Sequence, residues 1–313
     1  MKLILFSFLL LPVFLIMHPA RNTKMKNLSE KHTKECNPSN DLTVMLPGIF
    51  SHKPVTECKG DILSESFSNL LNWEKRKSKA RELFENASFS PNDVTIGKGV
   101  LTLRAAFNKI ETTGCIDETG SQVTYTGKMF SPKDGYTYSI IMRPTDKDGI
   151  VSAFFVHRID ENTNNASYCK NNNEIDIEVV KYGPNADPSL RGKLFAYFTS
   201  WTRALNPWGY KGNPCAADPG AWDQRQRESH GIQLDEKYTK EFHKYSFTWK
   251  ENEIDFYIDD VFIVKHTKVI PQKECPLKIN TWAGYNWLGY STEKSFYGIT
   301  SVKQVSVSSQ SLK

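Results

Sequence analysis

The sequence predicts an all-β protein, an antiparallel sandwich or jelly roll, and three observations carry that expectation. From Asp61 onward, short runs rich in Val, Ile, Phe and Tyr are separated by Gly, Pro and Asp turns. Several runs alternate, as where Tyr245, Phe247 and Trp249 share one face, flanked by His243, Lys244, Ser246 and Thr248. Helical periodicity is weak, and no internal repeat is present. With 39% hydrophobic and 12% aromatic residues over 313 positions, the chain can bury a substantial core.

The elements follow in order. Residues 1–20 carry one Lys and then an apolar run from Leu3 to Met17, shorter than the ~20 residues of a spanning helix. They read as a secretory signal peptide, with an uncleaved anchor as the other reading. Residues 21–60 are polar and read as an arm or linker. Residues 61–313 form the folded domain. "VTIGKGVLTLR" reads as strand, Gly turn, strand. "LLNWEKRKSKARELFE", Leu70 to Glu85, is the one stretch that reads as a short surface helix. "YTYSIIMR", "GIVSAFFVHR", "EIDIEVV", "KLFAYFT", "HKYSFTWK", "EIDFYID", "VFIVKH", "PLKINTW" and "GITSVKQVSVSS" read as strands. Between them, "NPWGYKGNPCAADPGAWDQRQRESHG" is a long irregular stretch holding Trp208, Trp222 and Cys215, read as a pinned loop near a binding surface.

Six cysteines behind an export signal suggest disulfides, with Cys36–Cys58 and Cys169–Cys215 as the expected pairs on sequence proximity. None sits in a C-x-x-C spacing, so no zinc site is expected. The net charge of +5 is concentrated near the start: up to Gly60 there are 8 Lys and Arg against 4 acids, and beyond it 32 against 31. A domain so nearly neutral is a poor nucleic-acid binder. Beyond the export signal no membrane association is expected, and the protein is read as a monomer that is secreted or periplasmic. "NLS" at Asn27 and "NAS" at Asn86 and Asn165 are glycosylation acceptors if the host is eukaryotic.

The chemistry lies in "NNNEIDIEVV", where Glu174, Asp176 and Glu178 occupy alternate positions. One reading is the solvated face of an amphipathic strand. Against it, acids are depleted in strands and like charges repel. A second reading is a cation site, although a straight strand does not wrap an ion. The third is a retaining glycosidase. At period two, all three side chains leave one face, with the Cα atoms of Glu174 and Glu178 ~13 Å apart. Side chains leaning together over the shorter Asp176 could approach the ~5–5.5 Å carboxyl separation that a nucleophile and a proton donor need. Crowding by neighbouring anions would keep one of them protonated at neutral pH.

"EIDIE" resembles the signature of glycoside hydrolase family 16, whose members cut or transfer β-glucans and related polysaccharides. "GIVSAFF", "FHKYSFTWKENEIDFYIDD" and "INTWAGYNWLGY" are similar to further blocks of that family, in the right order. The resemblance implies a concanavalin A-like jelly roll with a concave substrate cleft. It implies Glu174 as nucleophile, Asp176 as supporting acid and Glu178 as general acid/base. Asn280, Trp282, Phe155, His157 and Phe198 are the implied substrate-binding residues. Phe198 stands where lichenases carry a cleft Tyr, Ala196 where they carry an Asn, and Thr124 and Thr126 where they carry a Glu and an Arg. Thr300 stands in place of an Asp that helps hold a structural Ca²⁺. For His243, Tyr245 and Trp249 the structural role is favoured. The unbulged "EIDIE" spacing resembles the lichenase and transglycosylase side of the family. The expected activity is endo-acting cleavage of β-1,3- or mixed-linkage β-1,3-1,4-glucan, without metal or cofactor. Wall transglycosylation of glucan, xyloglucan or chitin, and non-catalytic sugar binding, are the alternatives.

Overall fold

A computed structural model describes residues 61–78, 88–109, 116–158, 173–202, 227–284, 288–289 and 295–309. The signal peptide, the arm, both expected disulfides and the 203–226 stretch lie outside the described residues. The first strands are β1 (Asp61–Glu65), β2 (Trp73–Lys75), β3 (Ser88–Phe89), β4 (Val94–Gly97), β5 (Val100–Lys109) and β6 (Ile116–Tyr125). Then come β7 (Tyr136–Arg143), β8 (Ile150–Arg158), β9 (Asn173–Lys181), β10 (Leu194–Trp201) and β11 (Arg227–Leu234). The last are β12 (His243–Trp249), β13 (Ile254–Ile258), β14 (Val261–His266), β15 (Leu277–Ala283) and β16 (Ser295–Ser309).

Hydrogen bonding runs in the order β11-β10-β9-β8-β15-β6-β5-β16-β7-β12-β13-β14, with β1 to β4 attached at the flanks. Along this path every pairing is antiparallel. Side-chain packing folds the ribbon into two layers, β11 to β6 against β5 to β14. Phe154 on β8 meets Phe247 on β12 at 5.8 Å between ring centroids, and Phe198 on β10 meets Phe256 on β13 at 5.3 Å. Polar groups also bridge the layers: Ser200 to His266 Nδ1 at 2.9 Å, and Ser152 Oγ to Thr300 Oγ1 at 2.6 Å. The antiparallel jelly roll expected from alternation is therefore the fold.

The core follows from that alternation. Ile175, Ile177 and Val179 of β9, Ala196 and Phe198 of β10, and Tyr245, Phe247 and Trp249 of β12 all lie in one buried cluster. Burying each large apolar side chain contributes about 1.5–3 kcal/mol. Trp249 satisfies its indole by donating Nε1–H to the Pro271 carbonyl at 3.0 Å. Two hairpins use left-handed residue pairs. Asp259 and Asp260 (φ 50° and 60°) join β13 to β14, and Lys98 and Gly99 (φ 53° and 72°) join β4 to β5. Both match the turn whose twist suits antiparallel strands.

The helix expected over Leu70–Glu85 is corrected. Within its described part, Leu71 and Asn72 form a turn and Trp73–Lys75 is strand β2, paired with Tyr125–Val123. Trp73 is buried against Phe67 and Tyr125. Placing that indole in the core outweighs the helix propensity of the surrounding Lys, Arg and Glu. The stretch read as irregular up to Gly231 also ends differently, because Arg227–Leu234 is an edge strand on β10.

Candidate active site

Strand β9 runs in unbroken register between β8 and β10, so side-chain direction is set by position alone. Its odd-numbered apolar residues enter the core, and Glu174, Asp176 and Glu178 leave the opposite face. On β10, Trp201, Thr199 and Tyr197 stand directly across from those three acids in that order. On β8 their partners are His157, Phe155 and Ala153. One strand further, Lys278 of β15 lies opposite Phe155, Asn280 opposite Ala153, and Trp282 opposite Val151. Gln122 and Gly120 of β6 continue the row. On the other side Arg227 and Gly231 of β11 lie opposite Trp201 and Tyr197.

This face has an apolar floor. Phe155, Ala153, Val151, Val180 and Tyr182 form a buried cluster separate from the main core, with Trp282 and Tyr197 packed on it. Tyr182 and Tyr197 share a hydroxyl hydrogen bond of 2.6 Å. Tyr197 lies over Gly231, where a Cβ would fall 2.5 Å from its ring. Glycine is thus required there for the ring to lie flat beside Glu178. Lys278 Nζ donates to His157 Nδ1 at 3.0 Å. The Oδ1 atom of Asn280 is buried with no hydrogen-bond partner among the described residues.

Electrostatics separate the three carboxyls. Burial, reinforced by the negative charge of Glu174, pushes Glu178 up to about 7, against the pull of Arg227. Burial also holds Asp176 well above the usual carboxylate range, aided by Glu174, Glu178 and a hydrogen bond with Glu174. A protonated Asp176 donates that bond, and the negative charge of Glu174 contributes to raising both of its neighbours. Tyr182 is likewise held protonated, by burial and then by its bond with Tyr197. An anion able to attack therefore lies four positions from an acid able to give a proton. Among the described residues, no group of three or more His, Cys, Asp or Glu is arranged to hold a metal ion. Thr300 Oγ1 is occupied by its bond to Ser152.

Of the residues singled out from sequence, Glu174, Asp176, Glu178, Phe155, His157, Asn280 and Trp282 all fall on this one face. Phe198 does not. It is fully buried between the layers against Phe256. The aromatic that faces the acids is its neighbour Tyr197, because a one-residue offset along a strand reverses the face. Ala196 lies in the core for the same reason. Sequence reasoning also passed over Trp201 and Arg227, whose guanidinium stacks on the Trp201 ring at 4.7 Å. Their place beside Glu174 depends on cross-strand register, which no local pattern discloses.

The family model for glycosyl hydrolases family 16 matches residues 219–297, a segment holding Asn280 and Trp282 but not the three acids. A probable xyloglucan endotransglucosylase/hydrolase of Arabidopsis thaliana is 29% identical over 185 residues, covering 56% of this chain and 46% of the relative. A beta-glucanase of Acetivibrio thermocellus is 28% identical over 233 residues, covering 71% of this chain and 55% of the relative. The chain thus spans about half the length of these curated relatives. The Bacillus licheniformis beta-glucanase structure superposes with a TM-score of 0.57 at 19% identity, covering 81% of this chain and 100% of that one.

Proposed function

We propose, from the support that sequence, family model and fold give to glycosyl hydrolase family 16, that this chain is a retaining, endo-acting glycosidase of β-linked polysaccharide. The single observation that carries the reading is the row itself: Glu174, Asp176 and Glu178 on one face of β9, with Glu178 pushed up to about 7 and Asp176 held well above the usual carboxylate range. A double displacement starts from a proton on Glu178 and a carboxylate at Glu174.

In the first step a Glu174 carboxylate oxygen attacks the anomeric carbon. Glu178 passes its proton to the departing glycosidic oxygen, and a glycosyl ester forms on Glu174. As the negative charge on Glu174 is consumed, the main charge raising Glu178 disappears. Glu178, now a carboxylate, takes a proton from water, and the hydroxide oxygen attacks the anomeric carbon, releasing Glu174. Asp176 keeps its proton near Glu174 throughout and stabilises the leaving carboxylate. Trp282 and Tyr197 offer flat apolar surfaces to sugar rings, and Asn280 Oδ1 offers an acceptor to a sugar hydroxyl.

The substrate we favour is β-1,3- or mixed-linkage β-1,3-1,4-glucan outside the cell, in keeping with the apolar run of residues 3–17. Likeness to the xyloglucan endotransglucosylase favours a second outcome of the same chemistry, in which a sugar hydroxyl replaces water in the second step. Product analysis on laminarin, lichenan, xyloglucan and chitin, with and without an oligosaccharide acceptor, separates the two. Nuclear magnetic resonance of the first product should show the β-anomer. Initial formation of the α-anomer rejects the double displacement, and sugar binding without any cleavage rejects the enzyme.

A further inference from the structure

A second recess lies away from the acid row, on the other layer. Strand β16 pairs with β7 only from Ser301 onward, so no described strand borders Ser295–Thr300 on that side. The gap is a groove of about 650 Å³, within the usual ~300–1,000 Å³ range of ligand clefts. Arg143, Lys147 and Lys240 line it, together with one acid, Asp146, and the outward, half-exposed ring of Tyr297. Beside it Phe242 carries Arg143 at 5.2 Å and Lys303 at 4.2 Å from its ring centroid. Arg104 stacks on Tyr297 at 4.8 Å.

Arg143, Lys147, Lys240 and Lys303 form no ion pair of 4 Å or less with any described carboxylate. This concentration is local, since the domain from Asp61 carries 32 basic residues against 31 acids. Four cations gathered around the single acid Asp146 repel one another, and stacking on Phe242 with a 3.4 Å hydrogen bond to Ser301 Oγ holds the Arg143 guanidinium in position. A pre-oriented guanidinium with nearby ammonium groups suits carboxylate or sulfate oxygens.

We propose that this groove binds acidic polysaccharide, chains whose sugars carry carboxylate or sulfate groups, at a site separate from the acid row. A chain bearing one charge per sugar or two needs only a few cations, which the groove supplies. Nucleic acid would call for a wider basic face than this near-neutral domain offers. The site does not depend on Glu174 being a nucleophile.

Calorimetric titration of the full chain tests this with four probes: polygalacturonate, dextran sulfate, neutral dextran and a DNA duplex. Binding of both acidic polymers is expected, and raising salt from ~50 to ~500 mM should weaken it severalfold. R143Q/K240Q should weaken it ~10-fold or more. Lys147→Glu, which changes an exposed side chain, provides the same test if the double variant misfolds. Glu174→Gln should leave this binding unchanged, which keeps the groove distinct from the cleft reaction. Failure of both acidic polymers to bind, undiminished binding in the folded variants, equal binding of neutral dextran, or tighter binding of DNA overturns the proposal.

Discussion

The two faces of β9 use the same backbone for opposite ends. Inward, Ile175, Ile177 and Val179 are sealed in the core. Outward, Glu174, Asp176 and Glu178 crowd three carboxyls into a partly buried row, with two of them driven toward the protonated form. The inward face stabilises the fold, and the outward face costs stability while creating reactivity. A strand separates these tasks cleanly because its side chains alternate.

The largest expected departure is catalytic. Glu174→Gln should lower glucan cleavage ~10⁴-fold or more, with a melting temperature close to that of the parent. A variant that cleaves normally, or one that unfolds, breaks the separation of faces. The inward counterpart is Phe198→Ala, which should cost about 3–5 kcal/mol in denaturant titration. Because Phe198 points away from the acids, the folded fraction should keep its affinity for oligosaccharide. A large loss of affinity at full folding would return this residue to the cleft.

A subtler measurement uses pH. In the unfolded chain Glu178 titrates near its ordinary 4.5, and in the folded protein near about 7. Between those values the native state binds a proton that the unfolded state has released. Stability from this group is therefore full below about 4.5 and is lost as pH rises toward 7. Asp176, shifted in the same direction, adds to the loss. Glu178→Gln should accordingly melt higher than the parent at pH ~8. The same titration should remove activity on the basic side, near the pH at which Glu178 gives up its proton. A parent protein whose melting temperature rises with pH across this window contradicts the sign.

The smallest effect concerns binding alone. Asn280 Oδ1 has no partner among the described residues to lose, so Asn280→Ala should raise KM roughly 10-fold at nearly constant stability. Steady-state kinetics paired with thermal melts would expose a structural role, in which the melting temperature falls and KM does not move.

Much of the architecture was legible because its strands alternate and its turns carry Gly or Asp. "YTYSIIMR" and "VFIVKH" became β7 and β14 with the bounds their patterns suggest. The acid row was legible for a related reason, since like charges at period two are unfavourable unless the chain uses them. What stayed hidden is what register decides. Tyr197 and Phe198 are adjacent aromatics, and only the pairing of Tyr197 with Glu178 shows which one meets the acids. Arg227 reaches Glu174's neighbourhood through Trp201, across two strands and 53 positions of sequence. Trp73 misled in the other direction, because a run of helix-forming charged residues surrounds a side chain that tertiary packing claims.

The short bridge between Ser152 and Thr300 couples the acid-bearing layer to the opposite one. It ties β8, which carries Phe155 and His157 on its far side, to β16 in the opposite layer, and Ser152 also accepts the amide of Thr145. Sliding of one layer over the other would have to break a small buried latch of hydroxyls, so the platform beneath the acid row inherits its placement from the layer on the far side of the core.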